Sequence, residues 1–264
     1  MATATSVIPD VQIEDKTFSR LMLGHNPFLG YSYYSDALAK QYEQRFRDPA
    51  AIEAVMRAAF ATGVHGMMLS FAGGGGEAIV EALARVTDSL GITIPTVAIL
   101  DLEFAQYRDM ARRANTQVGV LHGQITDALF RKGTRDFAPE FADFMARLRD
   151  FGLVPGASTH NAGETVPAMA AYDVAVVNTP VNKIGWRMCP CPEQVISALA
   201  ATKMTVIGMK PLAMGRIPPA EAMEYALSRS EVDIVLAGAA APEEAEETFG
   251  AGVQIISRQH QQRS

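Results

Sequence analysis

The sequence predicts one α/β domain folded as a single (β/α)8 barrel. Its 264 residues match the roughly 250 residues typical of such a barrel. Short apolar, β-branched runs alternate about eight times with amphipathic stretches, the pattern of parallel strands joined by crossover helices. No linker or shift in composition divides the chain, which favours a closed barrel over an open doubly wound sheet.

From the amino terminus, the extension 1–15 is expected to plug the barrel floor. Strands are expected at Arg20–Leu23, His65–Ser70, Thr96–Leu100, Gln117–Leu121, Leu153–Ala157, Val174–Val177, Thr205–Gly208 and Asp233–Leu236. Asp48 is expected to cap the first helix, with Pro49 in its first turn and Gly63 at its end. Glu77 to Leu90 is apolar at helical spacing and stops at Gly91. Further helices are expected near Leu102–Ala114, Ala138–Phe151, Pro192–Ala201, Pro219–Ser228 and Pro242–Phe249, and the polar tail 257–264 is expected to fray.

A hydrophobic content of 48% with 20% charged residues supplies a sizeable core and argues against disorder. The net charge of -6, without a basic stripe, makes nucleic acid an unexpected partner. The start of the chain lacks a basic region followed by an apolar run, and no window approaches the roughly 18 apolar residues of a membrane span. A cytoplasmic protein acting on a small molecule, with a homo-oligomer left open, is the expectation. The two cysteines, Cys189 and Cys191, flank a single residue, a spacing that strains a disulfide.

Of five histidines, His25, His122 and His160 fall at or just beyond the ends of strands one, four and five. In a barrel those ends converge on one mouth, where catalytic groups are placed. Asp101, after strand three, joins them. Imidazoles plus a carboxylate are ligands for zinc, manganese or iron, so His25, Asp101, His122 and His160 form a candidate divalent-metal set. The competing roles are local: His25-Asn26-Pro27 as a turn and His160-Asn161 as a helix cap. Lys210 follows strand seven, where it can form a Schiff base or hold an anion. Asn178, Asn182 and Lys183 extend the polar ring, and Trp186, the only tryptophan, is a lid or a plug. The glycine-rich run from Phe71 to Gly76 reads as a flexible loop or an anion nest. Phe28, Tyr31, Tyr33 and Tyr34 suit a wall beside a cyclic substrate or packing on the rim.

Several segments resemble the aldo-keto reductase superfamily in order: TFSRLMLGHNPFLG at the first strand, GVHGMMLSFAGGGGEAIVEALA at the second, and VGVLHGQITD at the fourth. PGASTHN and VVNTPVN are similar to the fifth and sixth strands. VIGMKPLAMGRIPPAEAMEYAL and LAGAAAPEEAEET are similar to the seventh and eighth. The resemblance implies an aldo-keto reductase-like barrel in which His122 matches the histidine of the Asp, Tyr, Lys, His tetrad. Ser70 stands at the aspartate position, Asp101 stands near the lysine position, and no tyrosine lies in the loop after strand two. Ser158 and Asn178 match positions that hold a nicotinamide carboxamide, whereas Met209 replaces a stacking aromatic. Glu243, Glu244, Glu246 and Glu247 replace the basic clamp for a 2′-phosphate, which disfavours NADPH and leaves NAD admissible.

The expected function is an enzyme acting without net redox change, as a lyase, isomerase or hydrolase, on a carbonyl or sugar-like substrate. His122, Asp101, His160 and Lys210 are the expected catalytic residues. His25, Asn26, Ser70, Ser158, Asn178, Asn182 and Trp186 are expected to bind substrate. The alternatives are a divergent NAD(P)-dependent oxidoreductase of aldo-keto reductase type and a non-catalytic ligand-binding barrel.

Overall fold

Eight parallel strands form a closed sheet because the last pairs with the first. The computed structural model describes residues 8–71 and 76–262. A hairpin of β1 (Asp10–Ile13) and β2 (Lys16–Ser19) precedes the barrel. The first four barrel strands are β3 (Leu21–Gly24), β4 (Met67–Ser70), β5 (Thr96–Leu100) and β6 (Thr116–Leu121). A second hairpin, β7 (Phe130–Arg131) with β8 (Asp136–Phe137), intervenes outside the barrel. The remaining barrel strands are β9 (Val154–Ser158), β10 (Val176–Pro180), β11 (Thr205–Met209) and β12 (Ile234–Gly238). The eight strands pair in parallel in chain order, and β12 closes on β3.

The period of two sorts the side chains. Met22, Met68, Val97, Val118, Val154, Val176, Ile207 and Ile234 fill the barrel interior, with Ile13 and Phe18 of the hairpin packed among them. The expected floor plug is therefore this hairpin; residues 1–7 of the extension lie outside the described residues. The intervening strand positions, such as Leu21, Leu69, Leu121 and Val235, pack outward against the helices.

Among the described residues ten α-helices follow in chain order. α1 (Asp36–Arg45) lies between the first two barrel strands and buries no residue, so it lacks the apolar stripe that a sequence reading needs. α2 (Pro49–Ala61) begins as expected, with Ala50 N–H donating to the Asp48 carboxylate at 3.0 Å and Pro49 in its first turn. α3 (Gly76–Leu90) is followed by Gly91, whose φ of 64° is left-handed. The helix expected over 102–114 is a 3-10 turn at Phe104–Tyr107 followed by α4 (Arg108–Arg113). α5 (Gly123–Leu129), α6 (Pro139–Phe151) and α7 (Ala162–Met169) come next, then α8 (Pro192–Ala201) and α9 (Pro219–Ser228). α10 (Pro242–Gln261) continues where fraying was expected, because Ile255 and Ile256 stay buried on its inner face. Among the described residues no helix is long and apolar enough to cross a membrane.

Candidate active site

Inward parity carries Ser70, His122, Ser158 and Asn178 to the carboxyl-terminal layer of the barrel, two residues beyond Met68, Val120, Gly156 and Val176. They line one cleft of about 1100 Å³ together with His25, Asn26, His160, Trp186 and Lys210. The cleft runs from this layer along the loop Lys210–Pro219 to Gly238, Glu244 and Glu247 at the start of α10.

His122 caps α5: its Nδ1 accepts from the Gln124 N–H at 3.3 Å. A ring that accepts at Nδ1 carries its proton on Nε2 and presents a donor there. Burial, with His160 and Lys210 nearby, holds its pKa below the ordinary imidazole value, against the opposing charges of Asp101 and Asp127. His25 has the other tautomer. Its Nδ1 donates to the Met68 carbonyl at 3.0 Å, which leaves Nε2 an acceptor. Burial pushes its pKa down to about 4.

His160 is placed by a residue that sequence reasoning missed. The Asp127 carboxylate, on α5, accepts from the His160 backbone N–H at 3.1 Å and from the Thr159 hydroxyl at 2.5 Å. It also stands 3.8 Å from His160 Nδ1. The Thr159 hydroxyl in turn meets that of Thr165 at 2.9 Å. Asp127 lies five residues beyond His122 with no motif around it, so only the fold reveals the pairing. His160 Nε2 and Asn178 Oδ1 are buried without a hydrogen-bond partner among the described residues. The Asn178 amide donates to Ser158 Oγ at 3.1 Å and approaches Met209 Sδ at 3.5 Å.

Three expectations require correction. The quartet His25, Asp101, His122 and His160 does not assemble a metal centre, and among the described residues no group of three His, Cys, Asp or Glu side chains could hold one. Nδ1 of His25 and of His122 bond the Met68 carbonyl and the Gln124 N–H, and the Asp101 carboxylate bonds Glu103 and Tyr107. Asp101 lies outside the cleft lining and reaches His122 only as a nearby charge. Asn182 does not face a ligand either; its amide bonds the Trp186 backbone at both ends, at 2.9 and 2.8 Å, and fixes that loop. Lys183 is paired with Glu221 at 2.7 Å, and Cys189 and Cys191 are free thiols. Residues 72–75 of the glycine-rich run lie outside the described residues.

Tyr33, from the loop after β3, lines the cleft. Lys210 Nζ donates to its hydroxyl at 3.2 Å and lies 4.5 Å from its ring centre. The Trp186 ring meets Tyr33 edge-on at 5.4 Å, with Arg187 5.2 Å from the Tyr33 ring. Burial lowers the pKa of Lys210, and Arg187 adds to this, while Tyr33 opposes it. Arg187, Lys210, Ala213 and Met214, all on the cleft wall, have left-handed backbones with φ of 57°, 60°, 45° and 68°.

No family model matches the chain, and no curated protein matches it in sequence. Solved structures do match. A protein of Pseudomonas aeruginosa assigned to the aldo-keto reductases is 18% identical with a TM-score of 0.64, covering 94% of this chain and 95% of that one. An aldo/keto reductase from Brucella melitensis is 11% identical with a TM-score of 0.62, over 95% and 99%. An aldose reductase from Schistosoma japonicum is 14% identical with a TM-score of 0.60, over 91% and 88%. The chain has the (β/α)8 barrel fold of the aldo-keto reductases.

Proposed function

We propose that this barrel is an NAD-dependent oxidoreductase acting on a small carbonyl compound or the matching alcohol. The observation that carries the reading is the single continuous cleft, which joins the polar inner layer at His122 to the start of α10. Its volume of about 1100 Å³ lies just above the roughly 300–1,000 Å³ of ordinary ligand pockets, so it has room for a nucleotide and a small substrate together. The named reductases that share the fold support redox chemistry, whereas the expected lyase, isomerase or hydrolase chemistry has no comparable support.

The residues fit a nicotinamide nucleotide. The unpartnered Asn178 Oδ1 and the neighbouring Ser158 hydroxyl suit a carboxamide, and the Met209 side chain adds an apolar contact to the cleft lining. When bound, the nucleotide supplies or accepts the reducing equivalents. His122, protonated at Nε2, donates to the carbonyl oxygen and polarises it. The proton comes from Tyr33: its oxygen accepts from Lys210, which leaves its own O–H free to donate. This phenol comes from the loop after the first barrel strand, so the gap after the second strand does not deprive the site of an acid. A positioned acid of this kind is worth about 10²–10⁴-fold in rate.

NAD is preferred over NADP because Glu244 and Glu247 stand at the far end of the cleft, where their charge repels a 2′-phosphate. Titrating the fluorescence of Trp186 with each nucleotide tests the reading. NADH should saturate at least about tenfold more tightly than NADPH, a difference of roughly 1.4 kcal/mol. Equal or tighter NADPH binding would remove the role of the acidic end, and no response to either nucleotide would end the proposal.

A further inference from the structure

Three cations of the cleft lining, Lys210, Arg187 and Arg216, have no carboxylate partner among the described residues, and the first two are gathered on one aromatic ring. Of the six lysines, Lys16, Lys132 and Lys183 are ion-paired at 2.7–2.8 Å, and Lys40 and Lys203 are exposed. Lys210 alone is set into the cleft wall, and neither it nor Arg187 has a carboxylate within 4 Å among the described residues. Both are held against aromatic rings, Lys210 by Tyr33 and Arg187 by Tyr33 and Trp186 at 5.2 and 5.3 Å. Two like charges kept together without a counter-ion repel each other, and an arriving anion converts that repulsion into attraction. Lys210 also lies within electrostatic reach of His25 and His122, so the anion would sit beside the group that polarises the carbonyl.

We propose that the substrate is a small carbonyl compound bearing a carboxylate, and that Lys210 and Arg187 together grip that carboxylate. The guanidinium supplies a planar two-toothed donor and the ammonium a point charge, a combination that fits the two oxygens of one carboxylate. The phosphates of a nucleotide offer the same oxyanion chemistry. Lys210 of the pair lies within electrostatic reach of His122, which favours the substrate as the source. This substrate class rests on reading the cleft as a carbonyl site, but its binding test needs no nucleotide.

Trp186, the only tryptophan, is part of the assembly and reports on it. The protein is titrated with pyruvate, with its uncharged methyl ester, and with inorganic pyrophosphate, each with and without NADH. Pyruvate should bind saturably and its ester at least about tenfold more weakly. Lys210→Met and Arg187→Met should each weaken pyruvate by about 10- to 100-fold, and Arg187→Met should leave the ester unchanged. Arg187 is exposed, so its variant keeps the test valid if Lys210→Met misfolds. NADH should not displace pyruvate. Equal binding of acid and ester, no response to pyruvate in the millimolar range, or competition of NADH or pyrophosphate with pyruvate would overturn the proposal. Pyruvate binding without NADH binding would uphold it and sink the nucleotide reading instead.

Discussion

His25 and His122 line the same cleft, yet one hydrogen bond each gives them opposite chemistry: a carbonyl partner fixes His25 as an acceptor, and an amide partner fixes His122 as a donor. The neutrality of His25 has a thermodynamic consequence. Its folded pKa, about 4, lies below the roughly 6.5 of an unfolded histidine. Between those values the unfolded chain takes up a proton that the folded chain refuses, so stability is complete above pH 6.5 and falls as pH drops toward 4. The loss amounts to about 3 kcal/mol. Urea unfolding at pH 7.5 and pH 4.5 should register most of it, and His25→Gln should flatten the dependence; an equal slope in both proteins would mean that other groups govern acid sensitivity. At this scale the sequence was informative wherever a residue followed a strand directly. His122, Ser158 and Asn178 follow from strand parity, but the tautomers and the support from Asp127 depend on contacts between separate loops.

Elements were legible where their burial is periodic. All eight barrel strands lie within three residues of their expected bounds, because each combines an inward and an outward apolar face. α1 and the hairpin of β7 with β8 were not, since α1 buries nothing and each strand of the hairpin spans only two residues. Glycine in β9 illustrates a constraint that periodicity does not reveal. A Cβ on Gly156 would meet Val120 Cγ1 at 2.7 Å and the Val176 carbonyl oxygen at 2.9 Å. One of these partners is backbone of an adjacent strand and cannot rotate away, so Gly156→Ala should cost about 1–3 kcal/mol by overpacking. Chemical denaturation measures this directly, and an unchanged midpoint would show that β10 shifts without cost.

For the molecule as a whole, fold class was the safest inference from sequence, since closure follows from counting strand-helix units. The direction of the proposed chemistry was not, because the contact between Tyr33 and Lys210 on which that proposal draws forms only in the closed barrel. The same closure bears on the wall formed by Arg187, Lys210, Ala213 and Met214. Side chains with left-handed backbones each cost roughly 1–2 kcal/mol, against which the wall sets its own turn hydrogen bonds and the small apolar cluster of Ala213, Ile217 and Ala222. The barrel beneath holds the wall in an uphill shape, as a frame holds a bent spring. Such a wall should relax on warming while the strands are still paired. Heating should therefore produce two separate midpoints, ligand-induced change in Trp186 fluorescence disappearing several degrees before the circular dichroism of the helices collapses. Met214→Gly, which removes the Cβ clash at φ 68°, should raise the lower midpoint toward the higher one. Coincident midpoints in the unaltered protein would mean that wall and barrel melt as one unit.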